Sequence, residues 1–230
     1  MALYAIGDLH LSLSTGKPMD IFGGQWKDHV QKLQNGFAGI RSDDTVVLCG
    51  DLSWGMTLEE SLEDFRLIDS LPGKKLIVKG NHDYWWTTAA KMRAFFSENG
   101  LSTLTLLNNN FFECEGIAVC GTRGWFVDER TGTDQDRKVL LREVGRLRMS
   151  LEAAGDRRKT VFLHYPPVYG AFRCEEILRV LKEYGVRHCY YGHIHGKSIA
   201  HAFNGWENGT EFRLISADSL GFQPMNIELP

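Results

Sequence analysis

The chain has 230 residues, of which 43% are hydrophobic, and its formal net charge is −3. This length and apolar content suit one compact domain with a substantial core, so we predict a single domain over residues 1–230. The mild acidity, with a sequence pI of ≈ 6.2, argues against a general nucleic-acid-binding protein.

The sequence also lacks the usual signs of membrane insertion and export. No apolar window approaches the ~20 residues that cross a bilayer, and the N-terminus lacks the basic start and apolar run of a signal peptide. The five cysteines form no Cys-x-x-Cys pair, which favours buried, reduced thiols over a disulfide framework. We therefore expect a cytoplasmic protein that makes no membrane contact.

The first half of the chain repeats one pattern, in which an apolar strand ends in glycine and polar residues. Strands are predicted over residues 4–6, 45–49 and 76–79, and helices start near Trp26, at Thr57 and after Thr88. Alternating strands and helices predict an α/β fold with buried parallel strands. The strands lead into Gly7-Asp8-Leu9-His10, Gly50-Asp51 and Gly80-Asn81-His82-Asp83.

The second half is richer in strands. A β-rich meander is predicted over residues 103–121, followed by the longest helix over residues 134–154, whose basic residues indicate a solvated face. A helix over residues 175–184 separates two strands that end in His164 and in Gly192-His193-Ile194-His195. Two final strands are expected near residues 198–203 and 212–216.

Side chains that commonly ligate metals stand at the ends of five predicted strands. Because ligands bind at the carboxyl ends of strands in open α/β sheets, we expect these groups to converge. Buried charges need partners, and clustered imidazoles repel one another when protonated, so their convergence predicts a metal site. Eight oxygen and nitrogen donors exceed what one ion needs and favour two ions that share an aspartate. The groups are Asp8, His10, Asp51, Asn81, His82, His164, His193 and His195.

Each of these motifs is weak by itself, and only their combination is specific. Asp-x-His and Gly-Asp pairs occur by chance or in ordinary turns, and Asn81-His82-Asp83 alone fits a turn with capping roles. The absence of thiolates from the blocks favours Mn, Fe, Zn or Ni over copper(I) or a cluster. Three histidines fall outside the blocks: we expect His29 at the surface, and His188 and His201 in structural positions.

The five blocks, in this order, resemble the calcineurin-like metallophosphoesterase superfamily from Asp8 to His195. The resemblance implies a four-layer αββα sandwich. It also implies two divalent ions that share Asp51 as a bridging ligand. The implied ligands are Asp8, His10, Asp51 and His195 for one ion, and Asp51, Asn81, His164 and His193 for the other.

The activity implied by this resemblance is hydrolysis of phosphate mono- or diesters by direct attack of a metal-bridging hydroxide. The substrate would be a phosphorylated small molecule or a nucleotide. His82 ligates no metal in this scheme, so we interpret it as the general acid that protonates the leaving group. We expect Asp83 to orient the His82 imidazole and Gly80 to provide a tight turn before it.

Substrate contacts are less well defined by the sequence. Arginine suits forked binding of a phosphate, and Arg123, Arg130 and Arg173 lie in loop patterns. We select Arg123 as a substrate contact, together with Asn81 and His82. The aromatic residues after the blocks could either line a pocket or pack behind the site, and they are Trp54, Trp85 and Trp86.

A second class of function stays open at this stage. The same fold could serve as a catalytically silent, metal-stabilised scaffold or interaction module. The intact Asn81-His82 pair argues against that alternative and favours an enzyme.

Overall fold

The computed structural model of the protein describes residues 1–126 and 132–228, and within those ranges it contains thirteen strands and five α-helices. The strands are β1 (Leu3–Ile6), β2 (Thr45–Cys49), β3 (Lys74–Val78), β4 (Leu104–Leu106), β5 (Phe111–Cys114), β6 (Ile117–Thr122), β7 (Arg158–Leu163), β8 (Val168–Tyr169), β9 (Phe172–Arg173), β10 (His188–Tyr191), β11 (Gly205–Glu207), β12 (Thr210–Leu214) and β13 (Met225–Ile227). The helices are α1 (His29–Phe37), α2 (Leu62–Ser70), α3 (Ala89–Glu98), α4 (Asp134–Ala153) and α5 (Glu175–Glu183).

The strands form two large sheets and one small hairpin. The first sheet has the order β13-β1-β2-β3-β4, the second has the order β11-β12-β10-β7-β6-β5, and β8 pairs with β9. The inner pairs of both large sheets are parallel, whereas β13, β11 and β5 pair antiparallel at the edges. Parallel neighbours end at the same edge of a sheet, so the polar residues that follow them are brought together.

The two sheets pack face to face between two layers of helices. Successive strand side chains point to opposite faces, and Val47 and Cys49 of β2 join a buried cluster with Phe162 of β7, between the sheets. Val46 and Leu48 belong instead to the cluster that contains residues of α1, α2 and α3. A third cluster joins the second sheet to α4 and α5. These three cores confirm the predicted four-layer αββα sandwich.

Two helices begin later than the sequence pattern predicts. Asp28 has a left-handed backbone (φ 55°), so α1 starts at His29 instead of near Trp26. The Thr57 hydroxyl accepts a hydrogen bond from the Glu60 amide (3.2 Å), but this closes a separate turn, and α2 starts at Leu62. Thr88 caps α3 as predicted, because its hydroxyl accepts a hydrogen bond from the Lys91 amide.

The three strands predicted over residues 103–121 are present, but the prediction that they form one meander is wrong. Strand β4 pairs parallel with β3 in the first sheet, whereas β5 and β6 form a hairpin in the second. Leu104 and Leu106 alternate inward and pack in the helix-facing core of the first sheet, so the chain changes sheets at residues 108–110. The predicted strand at residues 198–203 is also wrong, because residues Gly196–His201 form a 3-10 helix and β11 takes the edge of the sheet.

The expectation for the cysteines agrees with the structure. All five cysteines are buried and unpaired, as predicted. None of the helices among the described residues combines the length and the apolar character that crossing a bilayer requires.

Candidate metal centre

The predicted ligand residues lie together at the carboxyl ends of β1, β2, β3, β7 and β10. Backbone hydrogen bonds tie these strand ends to one another: the Asp8 amide donates to the Gly50 carbonyl (2.8 Å), and the Gly192 amide donates to the His164 carbonyl (3.1 Å). The site therefore spans both sheets, with ligands from the first and second halves of the chain.

Four candidate ligands have a left-handed backbone, which is unusual for residues other than glycine. Their φ angles are 61° at Asp8, 46° at His10, 53° at Asp51 and 73° at His193. This conformation costs on the order of 1–2 kcal/mol per residue, and such strain clusters at functional sites where the surrounding structure enforces it. The left-handed backbone ends the extended conformation of the strands and directs these side chains toward a common centre.

The first group of ligands consists of Asp8, His10 and His195, whose donor atoms all lie within 4.8 Å of one another. His195 Nε2 is 3.3 Å from Asp8 Oδ1 and 3.2 Å from His10 Nε2. Asp8 and His10 are buried. Two ring nitrogens that face each other at this distance suit a shared cation, which can accept both lone pairs.

The second group consists of Asp51, His164 and His193, whose donor atoms also lie within 4.8 Å of one another. Asn81 extends this group, because its Oδ1 is 2.6 Å from His164 Nε2. Asp51 Oδ2 lies 3.5 Å from His164 Nε2 and 3.7 Å from His10 Nε2. Asp51 therefore stands between the two groups.

The second nitrogen of two ligand imidazoles is held by an outer partner. His164 Nδ1 is 3.0 Å from the Cys49 carbonyl, and His195 Nδ1 is 3.4 Å from Asp218 Oδ1. With Nδ1 donating to these oxygens, Nε2 of each ring is left with its lone pair toward the centre. Asp218 also accepts the Gly196 amide (2.8 Å), which fixes the loop that carries His195.

Sequence reasoning missed Asp218 because it lies outside the five blocks. The signal that could have found it is its place shortly after β12, since that strand lies beside β10 in the second sheet. Its role in holding a ligand histidine follows only from the contact seen in the structure.

The charges in the centre are poorly matched without cations. Burial and the neighbouring Asp8 carboxylate raise the pKa of Asp51 to about 8. Burial and His164 lower the pKa of His193 to about 3, which keeps its imidazole in the neutral, metal-binding form. Burial also acts to lower the pKa of His195, but Asp8 and Asp218 outweigh it and raise that pKa to about 10.

These observations test whether the residues fit divalent ions. Asp51 Oδ2 is buried and has no hydrogen-bond partner among the described residues, which leaves a carboxylate oxygen unsatisfied. The surrounding donors are imidazole, carboxylate and amide groups, the set that Zn, Mn, Fe and Ni accept. The residues therefore fit two divalent ions on either side of Asp51.

Two glycines make room for the carboxylates. A Cβ atom at Gly80 would lie 2.1 Å from Asp51 Oδ1, and one at Gly192 would lie 2.5 Å from Asp8 Oδ2. Gly80 does not have a positive φ, so the expectation of a tight turn is replaced by a requirement for close approach.

The expectation that Asp83 orients the His82 imidazole is corrected by the structure. The buried Asp83 carboxylate accepts the backbone amides of Asp51 (3.0 Å), Leu52 (2.8 Å) and Gly80 (2.6 Å). It also accepts Trp85 Nε1 at 3.1 Å. Because both oxygens are used in this way, Asp83 holds the Asp51 loop against the Gly80 loop and acts on the ligand backbone.

We predict that Asp83→Asn lowers the free energy of unfolding by roughly 3 kcal/mol, because an amide nitrogen would then face two N–H donors in a buried site. Urea unfolding of the metal-free protein measures this change. Asp156→Asn, at an exposed aspartate, is the matched control and should stay within about 0.5 kcal/mol of the wild type. A similar small change for Asp83→Asn would contradict the assigned role.

His82 lies beside a largely apolar cavity of ≈ 310 Å³, which we call the apolar cavity. The His82 ring is 4.6 Å from the Trp54 ring, and Trp54 also stacks on His10 at 4.9 Å. Burial, followed by His164, lowers the pKa of His82. The lining residues are His10, Met19, Phe22, Trp26, Trp54, His82, His195, Gly196 and Lys197.

The three tryptophans named above have different positions. Trp54 lines the apolar cavity, with Lys17 Nζ 3.1 Å from its ring centroid. Trp85 is a packing residue, since it is 2% exposed and its ring lies 4.8 Å from Phe65. Trp86 lines a second cavity of ≈ 560 Å³ on the flank of the centre, which we call the lateral cavity.

The candidate arginines are also separated by the structure. Arg123 lines the lateral cavity, and its guanidinium contacts Glu143 (3.2 Å). Arg173 of β9 pairs with Glu207 of β11 (2.6 Å). Arg130 lies outside the described residues.

The histidines outside the blocks are partly as expected. His188 pairs with Glu211 (3.3 Å), which fits a structural position. His201 lies in the 3-10 helix Gly196–His201 instead of a strand. His29 is only partly exposed, so the expected surface position holds in part: its ring packs on Trp26 (5.6 Å) and Phe222 (6.1 Å), and its Nε2 is buried.

Solved structures share the fold of this chain at low sequence identity. A phosphopantetheinyl hydrolase from Mycobacterium tuberculosis aligns with a TM-score of 0.58 and 16% identity, covering 94% of this chain and 88% of that chain. A protein of unknown function from Aquifex aeolicus aligns with a TM-score of 0.51 and 16% identity, covering 98% and 95%. No match was found among the curated proteins.

The sequence itself matches a protein-family profile. The profile is described as calcineurin-like phosphoesterase, and it matches residues 1–197, which include all five blocks of candidate ligands. The chain therefore belongs to the calcineurin-like phosphoesterase family.

Proposed function

We propose that the protein is a dinuclear metal-dependent phosphoric ester hydrolase that acts on phosphate mono- or diesters. One ion would be held by Asp8, His10, Asp51 and His195, and the other by Asp51, Asn81, His164 and His193. The observation that carries this proposal is the buried, unsatisfied Asp51 Oδ2 between two groups of ligands. Family membership supports the same chemistry.

Two divalent ions in this centre supply positive charge for the phosphate oxygens and an activated water. The residues around the ions hold the ligand side chains in position. Outer contacts from Cys49 and Asp218 hold two ligand imidazoles in place, and the Asp83 carboxylate fixes the backbone of Asp51. A site held this firmly loses little energy to reorganisation during the reaction.

We assign His82 the role of general acid in this proposal. It belongs neither to the first nor to the second group of ligands, and it lines the apolar cavity together with His10 and His195. Its backbone amide donates to Asp51 Oδ1 (2.7 Å), which ties it to the centre while its ring faces Trp54. An ester group seated in the apolar cavity would leave as an alkoxide beside this imidazole.

The lining of the apolar cavity indicates what kind of ester group fits there. Trp26, Trp54, Met19 and Phe22 provide apolar and aromatic surface beside His82. Ligand pockets of this type hold organic groups by apolar contact, and a few polar residues set the orientation. A phosphorylated small molecule or a nucleotide with an aromatic or aliphatic moiety suits this lining.

A pair of chromogenic esters tests the proposal. The purified protein is assayed with p-nitrophenyl phosphate and bis-p-nitrophenyl phosphate, each with Mn, Fe, Ni, Zn or Mg, and its bound metal is measured by elemental analysis. We expect two ions per chain and hydrolysis of at least one ester. Two bound ions with no hydrolysis under any metal would instead support the silent, metal-stabilised scaffold.

A further inference from the structure

We propose that the lateral cavity is a second anion-binding subsite, which holds a phosphate of the substrate distant from the bond that is cleaved. This inference rests on the proposed function, because it adds a substrate class to the same centre. The cavity has a volume of ≈ 560 Å³. The lining residues that carry the argument are Lys79, Thr122, Arg123, Glu143 and Arg146.

The cavity is positively charged although the whole chain is acidic. Three cationic side chains, Lys79, Arg123 and Arg146, line it with one carboxylate, Glu143, so its net charge is about 3 − 1 = +2. The chain as a whole carries −3. A concave site lined by one sign of charge concentrates ions of the other sign, so this cavity attracts anions locally.

Glu143 holds the two guanidinium groups in place. Its Oε1 is 3.2 Å from Arg123 Nη2 and 3.7 Å from Arg146 Nε, and its Oε2 accepts the Thr122 hydroxyl at 2.5 Å. Glu143 is buried, so its charge is directed at these partners. The arginines are thus positioned beforehand, which reduces the entropy lost when they bind an anion.

One donor in the cavity wall lacks a partner. Arg123 Nε is buried, and no hydrogen-bond acceptor contacts it among the described residues. A buried N–H without an acceptor is costly, and an anion with several oxygens can satisfy it together with Nη groups. The wall also includes the start of α3, a ten-residue helix, which adds a favourable dipole for an anion.

The lateral cavity borders the metal centre. The Arg123 carbonyl accepts hydrogen bonds from the backbone amides of His164 (3.1 Å) and Tyr165 (2.8 Å). Arg123, which lines the cavity, is thus hydrogen-bonded to the chain segment that carries the candidate metal ligand His164. Lys79 comes directly before Gly80-Asn81 at the end of β3. In this proposal one phosphate of the substrate lies at Asp51 and the second lies in this cavity, whose lining residues Lys79 and Arg123 adjoin Asn81 and His164.

These features select a substrate with two phosphate groups. Arginine forks match the planar spread of phosphate oxygens, and three cations exceed what an uncharged group needs. His10 and His195 line the apolar cavity, whereas the lateral cavity is lined by Arg123, whose carbonyl accepts the His164 amide. The geometry suits a phosphoester whose second phosphate anchors the molecule while the first is hydrolysed.

Phosphate binding to the metal-free protein provides the first test. Inorganic phosphate is titrated calorimetrically into chelator-treated protein at low ionic strength, where charge interactions are least screened. We expect Arg146→Ala and Lys79→Ala each to weaken binding by roughly tenfold or more. The matched controls Arg142→Ala and Lys74→Ala remove exposed cations outside the cavity and should bind phosphate like the wild type. Wild-type-like binding in both cavity variants would overturn the proposal.

A pair of substrates gives the second test and separates the two proposals. The ratio of kcat/KM is measured for p-nitrophenyl phosphate and for a nitrophenyl ester that carries a second phosphate on an alkyl arm. We expect the wild type to prefer the second ester by roughly tenfold or more and Arg146→Ala to lose most of that preference. Hydrolysis of both esters with no preference would overturn the second subsite and leave the hydrolase intact. Phosphate binding that depends on Arg146, without hydrolysis of either ester or of bis-p-nitrophenyl phosphate under any metal, would instead refute the hydrolase.

Discussion

Asp51→Asn should reduce the bound metal from two ions per chain to at most one and lower kcat/KM for the better chromogenic ester by roughly 10³-fold or more. The reason is the position of Asp51 Oδ2, which lies 3.7 Å from His10 Nε2 and 3.5 Å from His164 Nε2. Replacing either oxygen of the Asp51 carboxylate with an amide nitrogen removes a negative charge that both groups of ligands share. Elemental analysis and steady-state kinetics measure the two effects.

The Asp51→Asn variant should still fold. Burial and Asp8 raise the pKa of Asp51 to about 8, so the metal-free fold disfavours the Asp51 carboxylate and tolerates a neutral side chain. Thermal unfolding distinguishes a loss of metal binding from a loss of folding. Ions that bind the folded state stabilise it, so added ions should raise the Tm of the wild type and raise that of Asp51→Asn much less.

Asp43→Asn is the matched control for this substitution. Its carboxylate is exposed and pairs only with Arg41 at the surface among the described contacts, so metal content and activity should match the wild type. An Asp51→Asn protein that retains two ions per chain would contradict the shared position of Asp51.

His82→Ala should keep both ions but lose roughly 10²- to 10⁴-fold in rate on esters with poor leaving groups. An alkoxide needs a proton as it departs, whereas p-nitrophenolate leaves readily without one. The His82 backbone amide, which donates to Asp51 Oδ1 (2.7 Å), is retained in alanine, so the metal centre should be preserved. Rates for an alkyl and a p-nitrophenyl ester of the same phosphate, together with metal content, measure this difference.

His201→Ala is the control for the removal of an imidazole. His201 is exposed and lies in the 3-10 helix Gly196–His201, outside both groups of candidate ligands. We expect it to leave both rates unchanged. If His82→Ala slows the alkyl and p-nitrophenyl esters equally, His82 contributes to binding or structure and does not supply the proton.

Much of the candidate centre could be predicted from the sequence because its ligands follow strands in a regular way. Each apolar run of β1, β2, β3, β7 and β10 ends in residues that suit metal binding, and parallel strands end at one edge. These patterns are local, so they need no knowledge of distant contacts. The four-layer fold followed from the resemblance, and the three buried clusters confirm it.

The errors in secondary structure arise where local patterns do not decide the outcome. Strand β4 and strand β5 follow each other closely, and nothing in their alternating residues states that the chain changes sheets between them. The helix starts at His29 and Leu62 depend on a left-handed Asp28 and a separate turn at Thr57, which propensity alone does not predict.

Residue type and position after a strand are local properties, so the residues that could ligate metals can be read from the sequence. How those residues are held depends on the three-dimensional fold. The Asp83 carboxylate accepts the Leu52 amide although the two residues are 31 positions apart in the chain, and His10 contacts His195 although they are 185 positions apart. The contact of Asp218 with His195, the packing of Trp54 against His82 and the charge of the lateral cavity likewise depend on strand ends from both sheets meeting in space. Hydrogen bonds and charges act over a few ångströms whatever the separation along the chain, so these roles appear only once the fold brings distant residues together.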